Sequence, residues 1–432
     1  MKTISLHTLG CKVNFAETAQ LKDKFESMGY KITDFGNKSD IVLINTCSVT
    51  NNADVEARKL IRRIKREQPQ SFLGVMGCYA QLKPEEVAAI EGVDAVFGQR
   101  EKFRVPLLLN DMLGAEKTQV NVSCIDELPF DAAITTDNEL RTRAFFKMQD
   151  GCNYFCSFCT IPFARGNSRS MEFDRIPFHI NKIIEAGYKE VVISGINLGD
   201  YSAPSGEKFK DVVNMIDMMD VDLRVRISSI EPNLLNDDIL HTVKNSKIFC
   251  PHFHIPLQSG SPEILRKMKR RYKSDYYKSL IYKIKDNMPD CGIGVDVIVG
   301  FPGETDEHFM QTYRLLEELP VSYLHVFTYS ERDNTPAVNY SGKIPVNIRK
   351  ERTAKLRELS ALKQKKFYMS QIGKIKTVIP ETYLPDEGVW KCWSENYVRV
   401  KFHAPADLKK GFHKIKIDTV SGEFAYGEAI NS

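Results

Sequence analysis

Short apolar runs separated by amphipathic stretches recur along two thirds of this chain, and few architectures tolerate that alternation. Ile4–Leu9, Ile41–Ile44 and Phe72–Met76 read as buried strands. Helical patterns follow them at Asn14–Met28, around the basic stretch at Lys59, and at Pro84–Ile90, where proline stands early, at a position with no N–H to lose. Repeated strand–helix–strand order requires crossover connections, so the strands must run parallel in a doubly wound α/β sheet.

The alternation resumes further on. Strands are expected at Ala144–Met148, Glu190–Ser194, Leu223–Ser228, His252–Ile255, Ile293–Gly300 and Ser322–Tyr329. Helices are expected near Arg175–Ala186, Phe209–Met219, Leu234–Lys244, Pro262–Arg271 or Asp275–Asp286, and Asp306–Leu319. Six units make a partial (β/α)6 barrel, short of the eight that close a complete one. After a basic helix over Asn347–Phe367 the pattern changes to short β segments at Lys374–Ile379, Val389–Trp393, Tyr397–Phe402, Lys414–Val420 and around Phe424. These suit a small antiparallel β-barrel, a shape that serves either as a stability module or for oligonucleotide binding.

A length of 432 residues gives a prior of about three domains. The expected boundaries are 1–125, an acidic and turn-rich linker over 126–142 with its break near Asp137 in the run Thr135-Thr136-Asp137-Asn138, 143–368, and 369–432. A hydrophobic fraction of 42% with 27% charged residues excludes wholesale disorder. No apolar run approaches a membrane span, and Lys2-Thr3 leads into polar sequence without the core of a signal peptide, so the expected location is the cytoplasm. In that reducing compartment ten cysteines are better read as metal ligands or reactive thiols than as bridges.

Cys11, Cys47 and Cys78 each stand within about two residues of a strand's C-terminal end in the first unit, with Gly10 and Gly77 opening two of the turns. Open parallel sheets bind ligands at that edge. Three scattered core cysteines would not share one edge, so a common metal site is expected. The sharper signal is Gly151-Cys152-Asn153-Tyr154-Phe155-Cys156-Ser157-Phe158-Cys159. One compact loop can wrap three thiolates around a [4Fe–4S] cube and leave its fourth iron open. A zinc knuckle would close with a further Cys or His at regular spacing, and none stands nearby. The loop also follows the first strand of the six-strand region.

That Cys-x3-Cys-x2-Cys loop on a partial barrel, with Phe158 before its last cysteine, resembles the radical S-adenosylmethionine (SAM) enzymes. With the three-cysteine domain in front and the β domain behind, nearly the whole chain resembles the methylthiotransferases among them. Gly10-Cys11-Lys12-Val13-Asn14, Asn45-Thr46-Cys47-Ser48-Val49-Thr50, Gly77-Cys78-Tyr79-Ala80-Gln81 and Ile161-Pro162-Phe163-Ala164-Arg165-Gly166-Asn167-Ser168-Arg169-Ser170 are most similar to the branch acting on threonylcarbamoyladenosine in tRNA. The isopentenyladenosine branch tends to have Gln-Met after the first cysteine, and the branch acting on a ribosomal protein Pro-Lys.

The resemblance implies that Cys152, Cys156 and Cys159 ligate a [4Fe–4S] cluster that chelates and reductively cleaves SAM. The resulting radical would take hydrogen from C2 of the adenosine beside the anticodon. Cys11, Cys47 and Cys78 would ligate an auxiliary [4Fe–4S] cluster presenting sulfur, methylated by a second SAM. Implied partners are the tRNA anticodon stem-loop, an electron donor such as flavodoxin or ferredoxin, and a sulfur donor. Phe158 would lie near the adenine of SAM, and Gly195 and Asn197 at its amino group. Glu231 and Gln258 are further polar candidates at strand ends, and Arg332 could pair with the substrate's threonine carboxylate.

Other features are read more plainly. Gly300-Phe301-Pro302-Gly303-Glu304-Thr305 is a strand-to-helix turn. Relatives often have glycine in place of Asn334, whose side chain tolerates left-handed backbone. Cys124, Cys250, Cys291 and Cys392 are incidental or core thiols, and His252 and His254 belong to a rim or core. The formal charge of +4 conceals basic stretches at Glu56–Glu67, Glu263–Lys285 and Lys343–Phe367, which together carry +18 against −14 elsewhere. That asymmetry favours RNA over a ribosomal protein as substrate, with a non-catalytic iron–sulfur RNA-binding protein as the alternative from another class.

Overall fold

A computed structural model of the chain describes residues 1–125, 128–134 and 142–430. The boundary expected near Asp137 lies outside the described residues. The first unit is a six-stranded, wholly parallel sheet in the order Lys31–Ile32, Thr3–Thr8, Ile41–Thr46, Phe72–Gly77, Ala95–Phe97, Gln119–Asn121. Its three central strands are the expected ones. The three outer ones, two or three residues long, were too short to carry a pattern. The order reverses between Thr3–Thr8 and Ile41–Thr46, and such a switch point opens a crevice at the strands' carboxyl ends. Helices cover both faces, so two apolar layers form, one around Phe25, Leu43 and Phe97, the other around Ile44, Ile61 and Val75.

The central unit has the six expected parallel strands; Arg143–Lys147 and Gly292–Val299 keep the expected length but begin one residue earlier, and the other four match or fall within their predicted spans. Arg143–Lys147, Glu190–Ser194 and Arg224–Ile227 form one sheet. His252–His254, Gly292–Val299 and Tyr323–Thr328 form a second, and single bridges Val225 to Phe249 and Ser229 to His254 join them into one curved wall. Both alternative helices are present, as Pro262–Lys267 and Ser274–Asn287. A further strand, Ala133–Ile134, runs antiparallel along Phe146–Lys147. A segment read as motif-free linker therefore edges the wall.

The C-terminal strands close a five-stranded barrel in the order Ile375–Leu384, Val389–Ser394, Arg399–His403, Phe424–Ala429, His413–Ser421. Its pairings are antiparallel, as expected, except that Arg399–His403 and Phe424–Ala429 run parallel.

The outer units plug the two openings of the central one. At the strand starts, Arg224 donates to the carbonyls of Thr377 (2.9 Å) and Trp393 (3.2 Å), and Arg226 to those of Glu395 (3.0 Å) and Ser394 (3.2 Å). Glu190 lies buried between the two guanidiniums, and Tyr397 seats its ring 4.4 Å from that of His252. The C-terminal barrel is thereby bolted to the floor. On the open side the helix Lys12–Ser27 packs on Ala133–Ile134 and Arg143–Lys147, next to the first barrel strand. Past the last strand, Asn51 N–H donates to Ser330 Oγ at 2.9 Å. The N-terminal unit so bridges the gap that six strands leave in an incomplete barrel.

Candidate functional site

The loop carrying Cys152, Cys156 and Cys159 is held by its own polar groups before any ligand enters. Gln149 Nε2 donates to the Gly151 carbonyl (2.8 Å), while its Oε1 accepts from the Asn197 N–H (2.8 Å), which ties the loop to the end of Glu190–Ser194. Ser157 N–H donates to the Met268 carbonyl (3.1 Å) and its hydroxyl to Lys267 (2.7 Å). From the far side the Ala337 N–H reaches the Ser157 carbonyl, and Thr160 donates to Asn334 Oδ1 at 3.0 Å. Asn334 has no left-handed backbone here; its amide oxygen, which glycine would lack, is what the turn uses.

None of the ten cysteines is in a disulfide. Among the described residues no group of three or more His, Cys, Asp or Glu is placed to hold one metal ion. Within each trio the thiols do feel one another. Burial, and then Cys156 and Cys152, push Cys159 up to about 12, and burial with Tyr154 N–H and Cys156 nearby leaves Cys152 at about 11. Burial followed by Cys78 and Cys11 raises Cys47 to about 12, and burial raises Cys78 as well. Such thiols are held protonated until a metal displaces the proton, and their donor set of three sulfurs with no fourth partner matches a cluster with one open iron.

The backbone at the second trio is shaped for close approach. Gly10 has φ +108°, and a Cβ built there would stand 2.6 Å from Cys47 Cβ and 3.1 Å from its Sγ. Gly77, with φ +99°, would set a Cβ 2.5 Å from Asn45 Oδ1 and the Thr46 carbonyl. Only glycine lets these turns bring Cys11, Cys47 and Cys78 to one edge. Gln99 Nε2 also points at Cys78 Sγ, 3.5 Å away.

Several sequence-predicted contacts lie around the first trio with polar atoms left over. Asn197 is 4% exposed, yet neither its side-chain oxygen nor its nitrogen has a partner among the described residues. Gln258 Oε1 and Ser228 Oγ are likewise unsatisfied. All three stand at or just beyond strand carboxyl ends, and Gln258 adopts φ +65° to be there. Buried polar atoms without partners are costly, and at strand carboxyl ends they are what a polar ligand would satisfy. Gly195 leaves room that a Cβ would take from Gln149 Oε1, 2.7 Å away, and Phe158 packs on the small apolar cluster of Ile264, Met268, Phe301 and Tyr329.

Two expectations are corrected. Arg332 is not available to a substrate carboxylate: it is 3% exposed, ion-paired to Asp54 at 2.7 Å and bonded to Ser48 Oγ (2.6 Å) and Asn51 Oδ1 (2.9 Å), clamping the N-terminal unit to the barrel. Glu231 remains a polar group at its strand end, with one carboxylate oxygen held by Arg270. Arg270 stands in the basic stretch Glu263–Lys285, yet it adds nothing to a basic surface. It is buried, donates to Cys156 Sγ at 3.0 Å and leans on the Tyr272 hydroxyl at 3.1 Å. Arg349 and Arg352 are also buried, paired with Glu331 and Glu304, so the basic surface is smaller than the charge count suggested. Arg62 and Lys366 remain exposed. His254 bonds Ser229 (2.8 Å) and Asp296 (2.7 Å), and His252 bonds the Tyr323 hydroxyl (2.8 Å), as rim and core residues do.

Sequence reasoning missed Gln149, the inward role of Arg270, and Lys12. Lys12, beside Cys11, feels Arg143, Arg226, Glu190 and Asp296 of the barrel strands, and desolvation followed by the two arginines lowers its ammonium to about 8.

Comparison with known proteins agrees with this geometry. Residues 3–98 match the uncharacterized protein family UPF0004, and residues 146–316 the radical SAM superfamily. The chain is 38% identical to the threonylcarbamoyladenosine tRNA methylthiotransferase MtaB of Bacillus subtilis, over 96% of this chain and 94% of that one. It is 34% identical to the protein of the same name from Thermotoga maritima, over 98% and 96%. Identity to the tRNA-2-methylthio-N(6)-dimethylallyladenosine synthase of Acetivibrio thermocellus is 31%, over 97% and 89%. Among solved structures, the radical SAM methyltransferase TsrM of Kitasatospora setae, with cobalamin and a [4Fe–4S] cluster bound, superposes with a TM-score of 0.56 at 14% identity, over 78% of this chain and 77% of that one, a likeness of fold.

Proposed function

The chain belongs to the radical SAM methylthiotransferase family, and on that premise we propose that it converts N6-threonylcarbamoyladenosine beside the tRNA anticodon to its 2-methylthio derivative. The observation that carries the reading is the pair of three-thiol sites, each at the carboxyl edge of its own parallel sheet and each short of a fourth ligand. Cys152, Cys156 and Cys159 hold one [4Fe–4S] cluster, and Cys11, Cys47 and Cys78 the other. When bound, the clusters and SAM supply the electron, the hydrogen-abstracting radical and the methylated sulfur that replace C2–H by C2–S–CH3.

The protein's own part is to hold and orient. The Arg270 guanidinium, fixed by Glu231, donates to Cys156 and favours its thiolate, since charge-assisted hydrogen bonds are the stronger kind. Asn197 and Gln258 offer their unpaired amides to the amino-acid portion of SAM, Gly195 lets that portion approach backbone, and Phe158 flanks its adenine. The C-terminal barrel, fixed beneath the central unit, docks the anticodon stem-loop together with the basic faces at Arg62 and Lys366. A small low-potential protein such as flavodoxin or ferredoxin delivers the electron, and a separate sulfur donor renews the auxiliary sulfur. Among the described residues no helix is long and apolar enough to cross a membrane, and with tRNA as substrate the cytoplasm is the place of action.

Nucleoside mass spectrometry of tRNA from a strain lacking the gene tests the assignment. The methylthio form of threonylcarbamoyladenosine should vanish while the unthiolated nucleoside accumulates. Loss of methylthio-dimethylallyladenosine instead would overturn it in favour of the other tRNA branch.

A further inference from the structure

Between the two thiol trios lies a set of six charged side chains, most of it shut away from water. Glu17, Lys102, Lys147, Asp150 and Arg165 are each at most 2% exposed, and Arg169 completes the set at its rim. Glu17 takes Lys102 at 2.6 Å, Lys147 at 3.0 Å and Arg165 at 3.0 Å. Asp150 takes Arg165 at 2.9 Å, Arg169 at 3.0 Å and Lys147 at 3.3 Å. Burial alone would raise both carboxyls, but Arg165 and the lysines hold them well below the usual carboxylate range, so both are anions. Burial, with Arg165 and Lys147 nearby, lowers the Lys102 ammonium while the Glu17 carboxylate at 2.6 Å opposes that, and with Lys102 charged four cations face two anions. An interior does not tolerate two surplus charges without a counter-charge nearby.

The surplus leans on the auxiliary trio. Lys102 donates to Gln99 Oε1 at 2.6 Å, and the other end of that amide donates to Cys78 Sγ. Arg165 donates to Asn14 Oδ1 at 2.5 Å, and the Cys11 thiol lies 3.9 Å from the same oxygen. The set also spans both cluster loops. Arg165 ends the short helix Ile161–Arg165 just after Cys159, and Glu17 sits in the helix that starts beside Cys11. The helix Cys78–Leu82 packs on Ile161–Arg165.

We propose that these six residues are positioning residues for methylthio transfer: they lock the two cluster loops at one separation, and their surplus of two positive charges makes the Cys11/Cys47/Cys78 site a receptor for an anionic cluster whose reduction potential they raise. This rests on the reading that the trio holds an iron–sulfur cluster. Uptake of one electron from a chemical reductant makes a thiolate-bound cluster more negative by one charge, so nearby positive charge favours the reduced form.

The test uses the full chain with Cys152, Cys156 and Cys159 all replaced by Ala, so that only the auxiliary site can be loaded, and follows its midpoint potential by dithionite titration with electron paramagnetic resonance. Lys102→Met should lower the potential, Lys102→Arg should restore it, and Glu17→Gln should raise it. Opposite signs from two neighbours are the signature of charge, since mere loosening of the site would move both the same way. Should Lys102→Met fail to fold, Arg169→Gln at the rim replaces it with the same expected sign. Shifts of one sign for both charges, or no shift, overturn the proposal. A triple-alanine protein that takes up no iron while the wild-type chain takes up one cluster sinks instead the underlying assignment of the trio.

Discussion

Gly10 offers a direct measure of how tightly the auxiliary site is built. Gly10→Ala carries two separable costs. The first is a side chain at φ +108°, about 1–3 kcal/mol. The second is overlap of the new methyl with Cys47, whose Cβ and Sγ would lie 2.6 and 3.1 Å away. Overpacking of that kind adds about 1–3 kcal/mol. Gly36 supplies the control: its φ is +102° and nothing lies within 4 Å of a built Cβ, so Gly36→Ala carries the first cost alone. The difference of about 1–3 kcal/mol corresponds to roughly 5–150-fold in retention of whatever the three thiols hold. Iron and acid-labile sulfide per chain, measured after anaerobic reconstitution over a range of iron concentration, read it out. Wild type and Gly36→Ala should hold about eight irons, and Gly10→Ala about four at limiting iron, with the Cys152 loop still loaded. Full loading of Gly10→Ala at the wild-type iron concentration would refute the reasoning, as would equal loss from Gly36→Ala.

Glu190 is lowered to about 2 against the penalty of burial by Arg224 and Arg226, so its contribution is complete above the ordinary carboxyl value of 4.5 and is lost as pH falls toward 2. Two and a half units correspond to about 3 kcal/mol, and stranding two buried arginines in Glu190→Gln should cost about 3–5 kcal/mol at pH 7. Thermal unfolding should show the gap between wild type and variant closing as pH drops from 5 to 2; a gap independent of pH would count against the ion pair. Arg62→Gln and Lys366→Gln should each weaken tRNA binding and flatten the slope of log K against log salt by about 0.9, as measured by filter binding, whereas an unchanged slope removes that residue from the interface. Arg270→Gln should leave that slope alone and instead weaken SAM binding or iron loading at the Cys152 loop, by roughly 10–150-fold if its charged hydrogen bond contributes about 1.5–3 kcal/mol; calorimetry with SAM decides it.

Of the fold, the elements that were legible from sequence are those long enough to show a period. Ile41–Thr46 opens on the apolar run Ile41–Ile44 and Gly292–Val299 is apolar but for Asp296, and both thiol trios follow from cysteines placed at strand ends or in one nine-residue loop. Strands such as Ala95–Phe97 and Ala133–Ile134 carry no period, and only their neighbours make them strands. The parallel seam of the C-terminal barrel likewise depends on which strands meet, which alternation along one strand does not encode.

The same division runs through the site. Local order sufficed to place glycine at the turns beside Cys11 and Cys78 and to bring three sulfurs together at spacings of three and two, because those demands are met within a few residues of chain. Charge could not be read that way. Arg270 and Lys366 both stand in basic runs, yet one is buried against Cys156 and the other is exposed. Arg332 finds Asp54 across 278 positions, and Glu17 finds Arg165 across 148. A charge takes its role from the dielectric around it and from its partner, and both are set by segments far apart in the chain. The sequence by itself therefore determined which chemistry the chain can hold. Only the tertiary structure decided which charges serve that chemistry, because burial and long-range pairing exist only once the three units have packed.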